Sequence, residues 1–191
     1  MHDKLLKKAL FYEYLTIAWN ILEGIVCIAI GLLSGSIVLV AYGLESGVEV
    51  FASAVVVWDL KDPGNKREKK ALTYIGFAYL IVSLYIFVDA SASLFGKHHP
   101  DKTISGIIFI ILTVVVMVVL GLIKRQIGKQ MKSETVLADA KFTLIDGALA
   151  GTVLVGLAVN ALFGWWWADQ LMALFLAVVA CKEGIHEVFK K

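Results

Sequence analysis

Long apolar runs alternate with short polar, lysine-rich stretches along the whole chain. A helix needs about 20 mostly apolar residues to cross a bilayer core. Six segments meet that length: residues 10–33, 36–58, 71–95, 103–123, 134–163 and 168–188. The fifth is long enough to project beyond the bilayer. The separators are turn-forming. Asp62-Pro63-Gly64-Asn65 precedes the basic run Lys66-Arg67-Glu68-Lys69-Lys70, and Gly96-Lys97-His98-His99-Pro100-Asp101 makes a short hairpin. Gly35 and Gly164 mark two tight connections. The expected fold class is an all-α integral membrane protein with six transmembrane helices, making one transmembrane domain over residues 1–191. The first apolar segment carries Glu13, Asn20 and Glu23 and is too long for the core of a signal peptide, so it is expected to be retained as a helix. Nothing after Lys191 is expected to form a soluble domain.

The basic residues give the segments a direction, because loops rich in lysine and arginine stay on the cytoplasmic side. Lys4, Lys7 and Lys8 precede the first segment. Lys61, Lys66, Arg67, Lys69 and Lys70 separate the second from the third, and Lys124, Arg125, Lys129 and Lys132 separate the fourth from the fifth. Lys190 and Lys191 follow the sixth. In a six-span chain all of these lie on one side, and the other side holds only Lys97 and Lys102. Both termini are therefore expected in the cytoplasm. Trp165, Trp166 and Trp167 then fall at the outer interface, where aromatic belts form.

Composition agrees. Of 191 residues, 59% are apolar, which excludes an ordinary soluble domain. The formal net charge of +2 gives no basic face for nucleic acid. Cys27 and Cys181 are far apart and in no metal-binding spacing, so both read as small apolar residues. No nucleophile, histidine and acid set lies at membrane depth, and no phosphate-binding glycine loop follows a strand, so an enzyme is not expected. The partner this composition implies is membrane lipid, in a bacterial or archaeal cytoplasmic membrane.

The acidic residues inside the apolar segments change the picture most. Charge in a bilayer core is costly and usually marks an ion or proton path. At about 1.5 Å rise per residue, Glu45 and Glu49 lie about 14 and 20 Å into the second segment from outside. Asp146 lies about 18 Å into the fifth from inside, and Asn20 and Glu23 about 15 and 20 Å into the first. Four carboxyl groups and one amide thus share a layer. Glu45 and Glu49 are spaced i, i+4 and share a helix face. With Asp146 from a facing helix they supply oxygen ligands for a divalent cation. Carboxylates this close in a low dielectric do not all stay ionised without a counter-ion, so a cation arriving displaces protons: the chemistry of antiport. A lone buried Glu is satisfied by a nearby carbonyl, but four at one depth fit that poorly. Glu23 and Asn20 fit either ligation or a supporting role.

Other polar positions are less decisive. Asp139, seven residues before Asp146, either faces water at the inner interface or serves an access route. Asp89 lies in the outer half of the third segment. Lys141 either snorkels or pairs with a carboxylate. His98 and His99 read as solvated loop residues, and Glu183 and His186 as interface residues. Gly43, Gly47, Gly147, Ala148, Ala150, Gly151 and Gly156 permit close helix approach.

With Glu45 and Glu49 on the second segment and Phe142 and Asp146 on the fifth, the chain resembles the cation diffusion facilitator family. The resemblance runs from about Trp19 to Glu183. Asn20-Ile21-Leu22-Glu23-Gly24 and the stretch from Asn160 to Asp169 are similar to a short branch of it lacking a cytoplasmic C-terminal domain. The resemblance implies six membrane helices, a homodimer, and a metal site built from i, i+4 pairs on helices two and five. Phe142 stands where the family usually has histidine or aspartate, and it cannot bind metal. The resemblance thus implies a site of Glu45, Glu49 and Asp146 with Glu23, Asn20 or water as the fourth ligand. It implies zinc as substrate. An all-oxygen donor set also suits manganese or iron(II). No resident cofactor is expected. Two other readings stay open: a proton-coupled exporter of organic cations, held by Glu23 among Tyr14, Trp19 and Tyr42, and a non-transporting membrane subunit with a degenerate site.

Overall fold

The structure, a computed structural model, describes residues 2–61, 68–96 and 99–189. Among these residues it is helical and has no strand. Six helices follow in order: α1 (His2–Ser34), α2 (Ile37–Lys61), α3 (Glu68–Phe95), α4 (Ile104–Met131), α5 (Glu134–Phe163) and α6 (Trp167–Phe189). The expected turn at Asp62–Asn65, the basic residues Lys66 and Arg67, the hairpin residues Lys97 and His98, and Lys190 and Lys191 lie outside the described residues.

Several helices outrun their apolar segments. α1 starts at His2 rather than residue 10, and α4 ends at Met131 rather than residue 123. Hydropathy marks the part of a helix that lipid covers. Lysine and arginine are good helix formers, so the hydrogen-bond ladder continues through Lys4–Lys8 and Lys124–Lys129 until a cap stops it. At the α4–α5 corner that cap is Lys132 in the left-handed region (φ 53°), followed by Ser133, whose side chain accepts from the Val136 N–H at 3.3 Å. Gly164 (φ 68°) ends α5 by donating to the Asn160 carbonyl at 2.9 Å. The N-terminus of α2 is capped from another helix. Asp169 of α6 accepts from the Ser36 hydroxyl at 2.6 Å and from the Val38 N–H at 3.2 Å.

The molecule is a membrane protein turned the way lipid requires. Among the described residues, four helices are long and apolar enough to cross a bilayer: Lys4–Ser34, Ile37–Trp58, Ile104–Met131 and Asp139–Phe163. α3 has a shorter apolar stretch, Tyr79–Phe95. Outward faces carry Ile25, Ile81, Leu84, Ile104 and Ile108, all well exposed, while Glu13, Asn20, Glu23, Glu45, Glu49 and Asp146 are buried. Only a bilayer makes such a surface stable.

The helices pack tightly in three pairs, α1 with α2, α4 with α5, and α3 with α6. Glycine sets two of these crossings. A Cβ on Gly43 would stand 2.9 Å from the Gly24 carbonyl, and one on Gly76 would stand 2.8 Å from that of Gly184. The pairs enclose an apolar core of Val38, Leu39, Tyr42, Ile86, Ile110, Ala150 and Val153, around which the buried acids are arranged.

Candidate functional site

One turn of α2 separates Glu45 from Glu49, and both carboxylates are 5% exposed. α5 brings Asp146 (2%) and α1 brings Glu23 (0%) and Asn20 (1%). The predicted layer is therefore buried as a whole, with finer detail than periodicity gives. Glu45, Glu49 and Asp146 line one narrow cavity together with Tyr79 of α3, Phe142 of α5 and Glu183 of α6. Its free space for the centre of a water-sized sphere is about 10 Å³, enough for one water or a bare ion.

Polar partners within this layer are few. The Tyr79 hydroxyl donates to Glu49 Oε1 at 2.5 Å. The carboxyl groups of Glu45 and Asp146 face each other. The Tyr42 hydroxyl stands between Asp146 and Glu23, and the Thr113 hydroxyl of α4 is also beside Glu23. Yet both oxygens of Asp146 and of Glu23, Glu45 Oε2, Tyr42 Oη and Thr113 Oγ1 close no hydrogen bond of normal geometry. Buried polar atoms are nearly always satisfied, and an accumulation of unsatisfied ones points to a function that supplies their partner.

The five residues are not equivalent in space. Glu23 does not line the cavity; the Tyr42 hydroxyl is beside both it and Asp146. Asn20 lies along a groove between α1 and α2 with Gly24, Gly43 and Gly47, and neither of its amide atoms has a hydrogen bond. Among the described residues, no three His, Cys, Asp or Glu side chains form a ready-made metal-binding group. The layer holds the donors close without converging them on one point.

The remaining candidates lie elsewhere. Asp139 does not face water: it is 2% exposed and ion-paired with Lys124 of α4. Glu183 is not simply an interface residue, because it lines the cavity below Glu49. Asp89 borders a shallow outer pocket with Ser36, Tyr85 and Ser93. His99 is exposed and stacks on Trp166 with ring centres 4.7 Å apart. His98 lies outside the described residues, and Lys141 and His186 are exposed. Cys27 is buried, Cys181 half-buried, and both are free thiols. The aromatic residues named for an organic cation do not cage Glu23. Trp19 stacks on Phe109, and Tyr14 lies under the Lys61 ammonium near the helix ends.

Sequence reasoning missed Tyr79, Lys124 and Glu13. A tyrosine in an apolar segment carries no signal of its own. Lys124 is legible as a charge just past the fourth apolar run, but placing it in a loop hides its burial. Glu13 was noticed only as an argument against a signal peptide.

The comparison with known proteins assigns the family. Residues 14–191 match the description Cation efflux transmembrane domain. The chain belongs to the cation efflux family. Members of this family are transporters rather than enzymes, and the expected resemblance holds over nearly the whole chain. The magnetosome protein MamB of Magnetospira sp. (strain QH-2) is 24% identical over 168 residues, covering 82% of this chain and 57% of that protein. Transmembrane protein 163 of Xenopus laevis is 24% identical, covering 94% of this chain and 66% of that protein. The manganese efflux system protein MneS of Bacillus subtilis (strain 168) is 25% identical, covering 97% and 67%. The chain thus spans 57% of the first relative's length and 66% of the second's.

Proposed function

We propose that this cation efflux family member is a secondary active transporter that exports a divalent metal cation in exchange for protons. The single observation that carries the reading is the buried cavity shared by Glu45, Glu49 and Asp146, with carboxylate oxygens that have no partner inside the protein. A divalent cation supplies the missing partner and neutralises the carboxylates. Protons do the same when it leaves, which couples the two ions. The positive-inside pattern puts both termini in the cytoplasm. Glu183 of the cavity wall then lies toward the cytoplasmic side of the carboxylates.

The donors here are all oxygens, with Phe142 closing the position a nitrogen ligand would take. Oxygen-only sets favour harder ions, so manganese and iron(II) rank ahead of zinc on chemistry. A relative named for manganese efflux supports that order. Glu45, Glu49 and Asp146 are the ligands, and water fills the remaining positions. Glu23, joined to Asp146 through Tyr42, tunes the charge of the layer. Asn20, which does not line the cavity, is a ligand only if α1 shifts. The working unit is a homodimer in a bacterial or archaeal cytoplasmic membrane, switching by movement of one helix pair against another. In proteoliposomes, Asp146→Ala is expected to abolish metal uptake. Uptake at the wild-type rate would remove the mechanism.

A cavity with room for one water has no space for an organic cation, so that alternative gains no support.

A further inference from the structure

On the cytoplasmic side of the carboxylate layer lies a second buried group of charges. The Lys124 ammonium of α4 pairs with Glu13 Oε2 of α1 at 3.0 Å and with Asp139 Oδ2 of α5. It also donates to the Thr143 hydroxyl at 3.1 Å, and that hydroxyl donates to the Asp139 carbonyl at 3.1 Å. Exposure is 0% for Glu13, 1% for Lys124 and 2% for Asp139. Ala9, Val56, Leu60, Ile127 and Val136 form an apolar seal on its inner side. Two carboxylates therefore share one ammonium in a dry site. A surplus buried charge costs several kcal/mol. The carboxyl groups of Glu13 and Asp139 are neighbours, and a proton on Glu13 leaves one carboxylate facing one ammonium. Glu13 Oε1 and Asp139 Oδ1 have no other hydrogen bond.

The cluster is not isolated. On α1, Glu13, Thr16, Asn20 and Glu23 are spaced three, four and three residues apart, and all are 0–1% exposed. On α5, Asp139, Thr143 and Asp146 are spaced four and three apart, each 2% exposed. These two stripes rise from the cluster to the midplane, over about 15 Å on α1 and about 10 Å on α5. Tyr42 and Thr113 stand at their upper end, beside Glu23. The cavity at Glu49 is lined on α3 by Tyr79 and on α6 by Val179, Ala180 and Glu183. A proton needs only a chain of polar atoms and an occasional water.

We propose that the Glu13–Lys124–Asp139 cluster is a proton-binding station, and that protons released from the midplane carboxylates pass to it, toward the cytoplasm, along the polar stripes of α1 and α5. The inference rests on the proton-exchange reading above and adds a separate route for the proton. In the transfer step an O–H on the Asp146 side of the stripes is broken and one is formed on a carboxylate of the cluster, the inward direction that exchange requires. Lys124 keeps its protons and remains the fixed counter-charge. The charged groups facing the cluster are Glu13 from α1, Lys124 from α4, Asp139 from α5 and, at longer range, Glu49 from α2. Arg125 and Lys141 on the same helices are exposed.

Glu13→Gln tests this cleanly. It leaves one ammonium with one carboxylate, a balanced pair, so the cluster keeps its packing. Purified variant and wild type are compared by manganese calorimetry, and in proteoliposomes by manganese uptake with a trapped pH dye. Manganese binding is expected to be unchanged, while protons moved per unit time under a manganese gradient fall about tenfold or more, as when a positioned proton carrier is removed. Asp139→Asn, which keeps the Lys124–Glu13 pair, gives the same reading if the first variant does not fold. Wild-type proton flux in either folded variant overturns the station, and so does loss of manganese binding. If the wild type itself carries manganese with no proton movement, the exchange reading fails first and the station falls with it.

Discussion

Replacing Tyr79 by Phe removes a single hydroxyl and leaves the ring that packs in the cavity wall. That hydroxyl is a hydrogen-bond donor to Glu49 Oε1, at 2.5 Å in a fully buried setting. In the exchange cycle Glu49 alternates between a cation-bound carboxylate and a protonated acid. A hydrogen bond to a charged group contributes about 1.5–3 kcal/mol, against about 0.5–1.5 kcal/mol between neutral partners. The difference, about 1–1.5 kcal/mol, favours the cation-bound form. It corresponds to manganese binding about 5- to 12-fold weaker in Tyr79→Phe, since each 1.4 kcal/mol is tenfold. Calorimetry on purified protein reads this directly, and a thermal melt checks that the fold is intact. Equal or tighter binding in the variant would refute the reasoning. It would mean that the cation displaces Tyr79 from Glu49 instead of relying on it.

Two further outcomes follow from the same geometry. Phe142→His adds an imidazole to the cavity beside Asp146, so zinc is expected to gain about tenfold over manganese in a competition titration, nitrogen donors suiting zinc better. An unchanged ratio would place position 142 outside the coordination sphere. Gly43→Ala puts a Cβ 2.8 Å from Ile28 Cγ1 and 2.9 Å from the Gly24 carbonyl, forcing α1 and α2 apart at a cost of about 1–3 kcal/mol. Gly47→Ala meets nothing within 4 Å and is expected to hold or raise the melting temperature. Similar melts for the two would contradict the close crossing.

The helices and the depth of the acids were legible because both depend on length and rise alone. A run of about 20 apolar residues fixes a span. A count of residues from its end then put Glu45, Glu49 and Asp146 in one layer, and they share one cavity. What could not be read was rotation about each helix axis. Asn20 has the right depth but does not line the carboxylate cavity. Asp139 has the depth of an interface residue, yet it turns inward to Lys124. Hydropathy also ended α4 at residue 123, before Lys124, so a buried lysine was assigned to a loop. Tyr79 is the opposite case. It joins the site through α3, a helix with no acid near that depth to draw attention to it. Rotation and pairing of helices are set by side-chain packing across the bundle, such as the Gly24–Gly43 and Gly76–Gly184 crossings. No local pattern encodes those partners.

The central claim is that a divalent cation binds between α2 and α5 in the middle of the membrane. Anomalous diffraction from crystals of the protein soaked in manganese tests it most directly. The account predicts one strong peak within about 2.0–2.3 Å of oxygens from Glu45, Glu49 and Asp146. A peak only elsewhere, or none at a manganese concentration that supports transport, would contradict it.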